Sequence, residues 1–324
     1  MTTGALHIVK PGLLSTVQDL GRYGHQAAGV PVGGPMDSFS HRLANQLVGN
    51  EPDAATIEVT LLGPELIVEA ETTIAVAGAQ FELTCDDRPM ALNASAAIRR
   101  GQRLKFGRIS QGARGYLAVA GGIQTEPVLG SRATHLVSRM GGFNGRALAA
   151  GDRVPIANES AARRQRKSIG LTLPSKGRAL LRVMAGPQAD WFDADALKTI
   201  AGVSFRISPQ SNRMGYRLQG PPLARQREGE LISEPLGIGA IQVPSAGEPI
   251  LLMADRQTAG GYPKIGYVIS ADLPLAGQLA PGDFIEFHLC SQAEAVAALI
   301  SRERQLLRYA DLLAPGAVEG RNVS

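Results

Sequence analysis

Between two apolar runs, Ile250–Ala254 and Tyr267–Ile269, the chain reads DRQTAGGYPK, from Asp255 to Lys264. A plain turn between strands needs none of that chemistry. Lys264 and Arg256 can bind anions. Gly260 and Gly261 can let backbone N–H groups approach a ligand closely. Asp255 can act as a base or hold a metal ion. Gln257 and Thr258 can orient a small polar substrate, with Tyr262 beside them. The same residues also spell a wide hairpin tip. Gly260-Gly261 then makes the turn, Tyr262-Pro263 stiffens it, and Asp255 pairs with Arg256 or Arg213.

Two more stretches are dense in polar groups. In SNRMGYRL, Asn212 and Arg213 precede an apolar strand, Met214–Leu218, and Arg213 suits a bidentate carboxylate contact. Its plainer reading is an exposed turn with one surface arginine. TVQDLGRYGH gathers Gln18, Asp19, Arg22 and His25 around Gly21 and Gly24. Its plainer reading is a local Asp19–Arg22 ion pair that holds the loop. Asp37 reads as a helix cap rather than a catalytic group.

The elements that must position these groups are mostly strands. Glu65–Val68, Thr73–Val76, Phe81–Thr84, Tyr116–Ala120, Leu181–Val183 and Ile241–Val243 are β-rich runs separated by turn residues. Two helices stand out. One runs from Asp37 to Val48, with Phe39, Leu43 and Leu47 on one face and Gly49 as its stop. The other opens at Ser291 and Glu294 with capping-box spacing and runs past Ile300. LAAGDRVPI (Leu148–Ile156) and LAPGDFIEF (Leu279–Phe287) echo one another, and a Leu-x-Gly-Pro precedes each, at Leu61–Pro64 and Leu218–Pro221. The echoes predict two similar barrels, over 1–157 and 178–290. A polar linker over 158–177 joins them, and a helix and tail over 291–324 follow.

Bulk properties narrow the classes. The chain has 324 residues, 44% hydrophobic, with 38 glycines and 20 prolines, which suits a mostly β protein with many turns. The net charge of +4 equals the cluster Arg163, Arg164, Arg166 and Lys167, so a broad nucleic-acid face is not expected. Cys85 and Cys290 form no CxxC and have no His at ligand spacing, so no metal site is read. No secretory pattern and no spanning apolar run are seen, so a soluble cytoplasmic protein without membrane contact is expected. GxxxxGK[ST], GxGxxG, HExxH and GxSxG are all absent. The five histidines are dispersed.

Three long stretches carry a resemblance. They are GLLSTVQDLGRYGHQAAGVPVGGPMDSFSHRLANQLVGN from Gly12, GYLAVAGGI with VLGSRATHL and GRALAAGD from Gly115, and SNRMGYRLQGPPL with SEPLGIGAIQVPSAGEPILLMADRQTAGGYPKIGYVISADL from Ser211. In that order they resemble the biotin-dependent carboxyltransferase-like family. Its members include the C subunit of ATP-dependent 5-oxoprolinase, the Kip antagonist and the matching half of the urea carboxylase carboxyltransferase domain. Ala259 stands where the family's loop has a second Thr. His135 replaces an Asp or Tyr common in relatives, which argues against a general catalytic role for it.

The resemblance implies two tandem cyclophilin-like β-barrels. It implies a C subunit that works with the A and B subunits of 5-oxoprolinase to open 5-oxo-L-proline to L-glutamate with ATP, the B subunit being the direct partner. ATP, with Mg2+, can turn the stable lactam carbonyl oxygen into a leaving group. That site needs cations and N–H groups for anionic charge and a base for water or the lactam N–H. Asp255 and Lys264 are then the catalytic candidates. Asn212, Arg213, Gln257, Thr258, Gly260, Gly261, Tyr262, Gln18, Asp19, Arg22 and His25 are the substrate-binding ones. No bound biotin is expected, since no Ala/Val-Met-Lys-Met carrier motif is present. Two alternatives go with the family: a regulator that sequesters an inhibitor of a histidine kinase, and a carboxyltransferase component acting on urea or a similar amide.

Overall fold

The computed structural model describes residues 4–157, 171–227, 229 and 231–313. The basic run from Arg163 to Lys167, most of the expected linker and the tail beyond 313 lie outside the described residues.

In the first part, β1 (Gly4–Lys10), β2 (Leu14–Gln18), α1 (Ser38–Val48), β3 (Thr56–Thr60), β4 (Glu65–Val68), β5 (Thr72–Cys85), β6 (Arg88–Pro89), β7 (Ser95–Ile98), β8 (Arg103–Val119) and β9 (Arg153–Ile156) follow in order. They form one nine-stranded sheet, with β2-β3-β8-β4-β1-β9 as its main path and β5 paired to β8. The 17-residue β8 meets β3 near one end, β4 near the other and β5 along its length through several bulges. Alternation explains the inward faces: Leu6 and Ile8 of β1 and Leu66 and Val68 of β4 enter one apolar core with Ile57, Leu117 and Val154.

In the second part come β10 (Arg178–Ala185), α2 (Ala194–Gly202), β11 (Ser204–Ile207), β12 (Gly215–Gln219), β13 (Glu234–Pro235), β14 (Ala240–Gln242), β15 (Ile250–Leu252), β16 (Ala259–Gly260), β17 (Lys264–Val268), α3 (Leu273–Gly277), β18 (Phe284–Leu289) and α4 (Gln292–Leu313). Seven of these strands close a barrel in the order β10-β17-β14-β15-β12-β11-β18, around Leu181, Val183, Phe205, Ile241 and Phe287. The fold is mainly β with four α-helices. The second sheet is a closed barrel, while the first is a half-barrel whose ladder stays open.

The sequence echo is a structural repeat. Gly151 N donates to Ile8 O and Ile8 N to Asp152 O, each at 2.8 Å. Gly282 N donates to Ile207 O and Ile207 N to Asp283 O, also at 2.8 Å. Each aspartate accepts from the backbone N–H three residues earlier, Ala149 N at 2.7 Å and Ala280 N at 2.8 Å. Gly151 and Gly282 sit at φ 88° and 97°, where a side chain is strained.

α1 buries Phe39, Leu43, Ala44 and Leu47, with Asp37 accepting from Ser40 N at 2.9 Å and Gly49 as its left-handed stop. α4 opens with the expected box: Ser291 N donates to Glu294 at 2.8 Å and Glu294 N to Ser291 Oγ at 3.3 Å. α2 and α3 are too short to show a pattern in the sequence. Cys85 and Cys290 are both free. Among the described residues no helix is long and apolar enough to cross a membrane.

Candidate functional site

Arg213, at the entry to β12, is the junction of the two parts. Its Nε and Nη2 donate to Asp255 Oδ2 and Oδ1 at 2.8 and 2.9 Å. Its Nη1 donates to Glu58 of β3, and Nη2 also to Gly34 O at 2.6 Å. Tyr116 of β8 donates its hydroxyl to Glu58 Oε2 at 2.8 Å, as does Met36 N. The expectation of an exposed turn with a surface arginine is overturned: Arg213 is 5% exposed, because three elements close over it. Of the partners proposed for Asp255 in the plain-turn reading, Arg213 is the one found. Both carboxylate oxygens of Asp255 are engaged by this one guanidinium.

Burial disfavours charge throughout this cluster, and pairing decides what survives. Burial works against the Arg213 cation, but Asp255 and Glu58 hold its pKa above the ordinary range. Burial would raise Glu58, yet Arg213 and Arg114 outweigh it, so the carboxyl lies below its ordinary value. Asp37 has no such cation in contact, and burial pushes it up against hydrogen bonds from Gln278 and Ser40. Burial also lowers His41 to about 4, so this ring is neutral at pH 7.

Gln278 ties the cluster together. Its Nε2 donates to Asp37 Oδ2 at 2.7 Å and Arg114 O at 2.8 Å, and its Oε1 accepts from the N–H groups of Ala113 and Arg114. Arg114 in turn donates to Tyr216 Oη at 3.0 Å.

The Asp255–Lys264 segment is not a free hairpin tip. Residues Ala259–Gly260 pair with Glu234–Pro235 as a short ribbon. Leu236 N donates to Thr258 O at 2.9 Å, and Arg256 Nε to Leu236 O at 3.0 Å. Lys264 is not an exposed loop charge; it is 1% exposed and donates its ammonium to Glu234 Oε1. Gln188 Nε2 donates to the same oxygen at 2.9 Å, and Gln188 Oε1 accepts from Lys264 N at 3.2 Å. Gly260 is closely approached: a Cβ there would lie 2.7 Å from Gln257 Nε2 and 2.9 Å from Leu236 Cδ1, side-chain ends that would have to shift. A Cβ on Gly261 would lie 2.8 Å from Leu231 O.

Beside this ribbon a cleft of about 210 Å³ brings together Asn212, Gln257 and Tyr262 with Gln210, Arg217 and Gln242. Met214, Ile250 and Leu252 line its apolar side. Gln242 is buried while Asn212, Arg217 and Gln257 are more open to solvent, so amide groups stand at both depth and rim. This arrangement offers N–H and C=O groups to a small polar amide and a guanidinium to a carboxylate.

The first loop behaves differently. Asp19 accepts from Gly21 N at 2.9 Å, Ser131 Oγ at 2.6 Å and Arg132 N. The expected Asp19–Arg22 ion pair does not form; Arg22 turns to carbonyls, with Nε on Val128 O and Nη2 on Ala133 O, both at 2.9 Å. Gln18 donates to Thr16 Oγ1 and Thr134 O at 3.1 Å. His25 precedes a 3-10 turn and makes no side-chain cap. The later part of the loop reaches the Arg213 junction: Gly34 O is one acceptor, and a Cβ on Gly33 would lie 3.8 Å from Asp255 Oδ1. Gln18, Asp19, Arg22 and His25 do not line the amide cleft.

Sequence reasoning missed Glu58, Tyr116, Arg114, Gln242 and Gln278. Glu58 carried a signal, an acid inside the β-rich run TIEVT. Its partner Arg213 is 155 positions away, which no local pattern encodes.

Comparison with known proteins follows the same architecture. The family described as carboxyltransferase domain, subdomain A and B, matches residues 28–289. The C subunit of 5-oxoprolinase from Escherichia coli is 40% identical over 301 residues, covering 92% of this chain and 96% of that protein. Its Haemophilus influenzae counterpart, also a 5-oxoprolinase C subunit, is 37% identical over 281 residues, covering 87% and 90%. The solved K. lactis urea amidolyase aligns over 99% of this chain with a TM-score of 0.87 at 31% identity, and this chain spans 20% of its length. On the family match and on these near-full-length relatives, the chain belongs to the family of the carboxyltransferase domain, subdomain A and B.

Proposed function

We propose that this chain is the C subunit of an ATP-dependent 5-oxoprolinase, acting with the A and B subunits to hydrolyse 5-oxo-L-proline to L-glutamate. One observation carries the reading. The 5-oxoprolinase C subunits match over 96% and 90% of their own length. A urea amidolyase matched at 35% identity is covered over only 17% of its length. The C subunits are also the more similar in sequence, at 40% and 37% identity. The family match favours a second reading, a carboxyltransferase component acting on urea or a similar amide.

On the proposed reading the amide cleft receives the lactam. Gln242 and Gln257 complement its N–H and C=O, and Arg217 its carboxylate. Lys264 and Glu234 hold the ribbon, and Gln257 and Tyr262 on either side of Ala259–Gly260 line the cleft. The residues present do not fit a Mg2+–nucleotide site. Among the described residues no group of three or more His, Cys, Asp or Glu is placed to hold a metal ion. Asp255, the proposed metal-linked carboxylate, is occupied by Arg213. We therefore assign ATP with Mg2+ to one of the partner subunits, and no step here is routed through it. The complex is proposed to be cytoplasmic, with the B subunit in direct contact and this chain inactive by itself.

The test is co-expression with the A and B subunits and measurement of glutamate released from 5-oxo-L-proline with ATP. The assembled complex should be active and the isolated chain nearly silent. Biotin-dependent carboxylation of urea, with no glutamate release, would favour the second reading.

A further inference from the structure

The amide cleft lies on the outer face of the second barrel, and strand register arranges its floor in two rows. Tyr216 and Leu218 of β12, Leu251 of β15 and Ile241 of β14 enter the barrel core. Their neighbours Gly215, Arg217, Ile250, Leu252, Ala240 and Gln242 therefore face outward. Arg217 and Gln242 each pair with Ile250, one from either side. The three form a row across three strands, its two polar ends roughly 10 Å apart at the backbone, or two strand spacings. Two residues along, Gly215 pairs with Leu252, and Leu252 packs with Ala240 and Leu236. The first row is polar at both ends. The second is apolar and has no side chain at Gly215.

The lining includes Met214 and Leu252 but not Gln219, so the cleft runs from the polar row toward the apolar one. Neither conformation nor packing accounts for the glycine at 215. Its backbone lies outside the left-handed region. Two other strand glycines have no room for a side chain: a Cβ on Gly115 would lie 2.6 Å from Phe81 Cε2, and one on Gly266 would lie 2.5 Å from Val183 Cγ1. At Gly215 the nearest atoms are Leu251 O at 3.0 Å and Ile250 Cγ2 at 3.2 Å, a tight contact that a small shift relieves. Gly215 and Ile250 both line the cleft, so a methyl group there would stand on the cleft floor. A bare position inside a strand suits the close approach of a ligand.

5-Oxo-L-proline has two edges that match the two rows. Its carboxylate, ring N–H and carbonyl lie along one edge, and its two ring methylenes form the other. With the carboxylate on Arg217 and the amide on Gln242, the methylene edge turns toward Gly215 and Leu252. We propose that Gly215 is the specificity-determining residue of the cleft: its bare Cα seats the methylene edge of a five-membered lactam acid and, with Leu252 opposite, leaves no place for a larger ring. The assignment rests on the 5-oxoprolinase reading and adds to it the residue that sets ring size.

The experiment uses the complex assembled with the A and B subunits. Ring opening is followed with 5-oxo-L-proline and with its six-membered homologue, 6-oxo-L-piperidine-2-carboxylate. The parent should favour the five-membered ring in kcat/KM by about tenfold or more, the scale one methylene sets in an apolar site. Gly215→Ala should raise KM for 5-oxo-L-proline about tenfold, for the same reason, with a melting curve close to that of the parent. Ile250→Val removes one methylene beside Gly215 and should narrow the preference for the smaller ring by about fourfold, the transfer value of one CH₂. A parent complex that releases no glutamate from 5-oxo-L-proline overturns the functional reading, and this assignment falls with it. A parent that does release glutamate, but opens both rings equally well or keeps its KM in Gly215→Ala, overturns the assignment alone. Should Gly215→Ala melt well below the parent, Ile250→Val decides, and an unchanged ring-size ratio there overturns the assignment.

Discussion

Two buried cations flank the same polar segment and are held in opposite ways. Arg213 meets two carboxylates, Asp255 and Glu58, both sealed from water. Lys264 meets one, Glu234, whose side chain is 37% exposed. The first pair cannot exchange partners without opening the junction between the two parts of the chain. The second can, because its anion already touches solvent. A long run of fixed polar residues therefore mixes two kinds of duty: Asp255 fastens the segment, and the ribbon from Gln257 to Lys264 presents it.

Removing Arg213 should break this comparison most severely. Arg213→Ala strands two carboxylates in the interior, and loss of one partner of a buried ion pair costs about 3–5 kcal/mol. Chemical denaturation of the full chain should show that loss. Asp255→Asn, which keeps the shape, should cost less. Unchanged stability in Arg213→Ala would show that the junction is incidental.

The interior cluster should also carry the steeper pH dependence. His41 stacks edge-on against Tyr116, 5.9 Å between ring centroids, on the Glu58 side of the junction. Its folded pKa of about 4 lies below the ordinary 6.5, so the folded state binds fewer protons between those values. Stability is then full above pH 6.5 and is lost as pH falls toward 4, by about 3 kcal/mol. Glu58 adds to the loss at lower pH, because its depressed carboxyl must be protonated. Asp37 opposes it, since a raised carboxyl favours the folded state as pH falls. Melts from pH 7 to 4.5 should fall in the parent and fall less in His41→Gln. A flat parent profile would contradict the burial of this ring.

Much of the scaffold was legible and much of the junction was not. The α1 face, the Ser291–Glu294 box and the paired Gly-Asp turns are local patterns, and short-range spacing writes them into the chain. The open first sheet was not readable, because β8 changes partners along 17 residues, and glycines at its bulges, such as Gly112, do not say which strand each half pairs with. The burial of Lys264 is hidden for a related reason. Its cover comes from Gln188 and Glu234, 76 and 30 positions away, brought in by strand order. Asn212, Gln257 and Tyr262 come together because they flank one barrel face, while Gln242 hides in a short apolar strand.

Lys264→Met sharpens the comparison from the other side. It keeps the aliphatic stem and removes the charge. Glu234 loses its cation but keeps the hydrogen bond from Gln188 and can turn to water, so the stability loss should be about 1–2 kcal/mol, below that of Arg213→Ala. Turnover of the assembled complex should drop by about a hundredfold if the ribbon carries a charge-stabilising role. A loss of stability as large as that of Arg213→Ala would erase the distinction between rim and interior.

The smallest effect on stability is expected in the cleft itself, at Arg217. Its side chain is exposed and makes no salt bridge among the described residues, so Arg217→Ala should change stability by no more than about 0.5 kcal/mol. Its value lies in what it separates. If the amide cleft receives 5-oxo-L-proline, the guanidinium meets the substrate carboxylate in ground and transition states alike. The variant should then raise KM about tenfold, the scale of one exposed charge-assisted contact, and leave kcat close to the parent. An unchanged KM would move the substrate out of this cleft and toward a partner chain of the complex. A fall in kcat at constant KM would place Arg217 against charge that develops only during reaction. Either result would be read on a protein whose melting curve is intact, which the interior substitutions cannot offer.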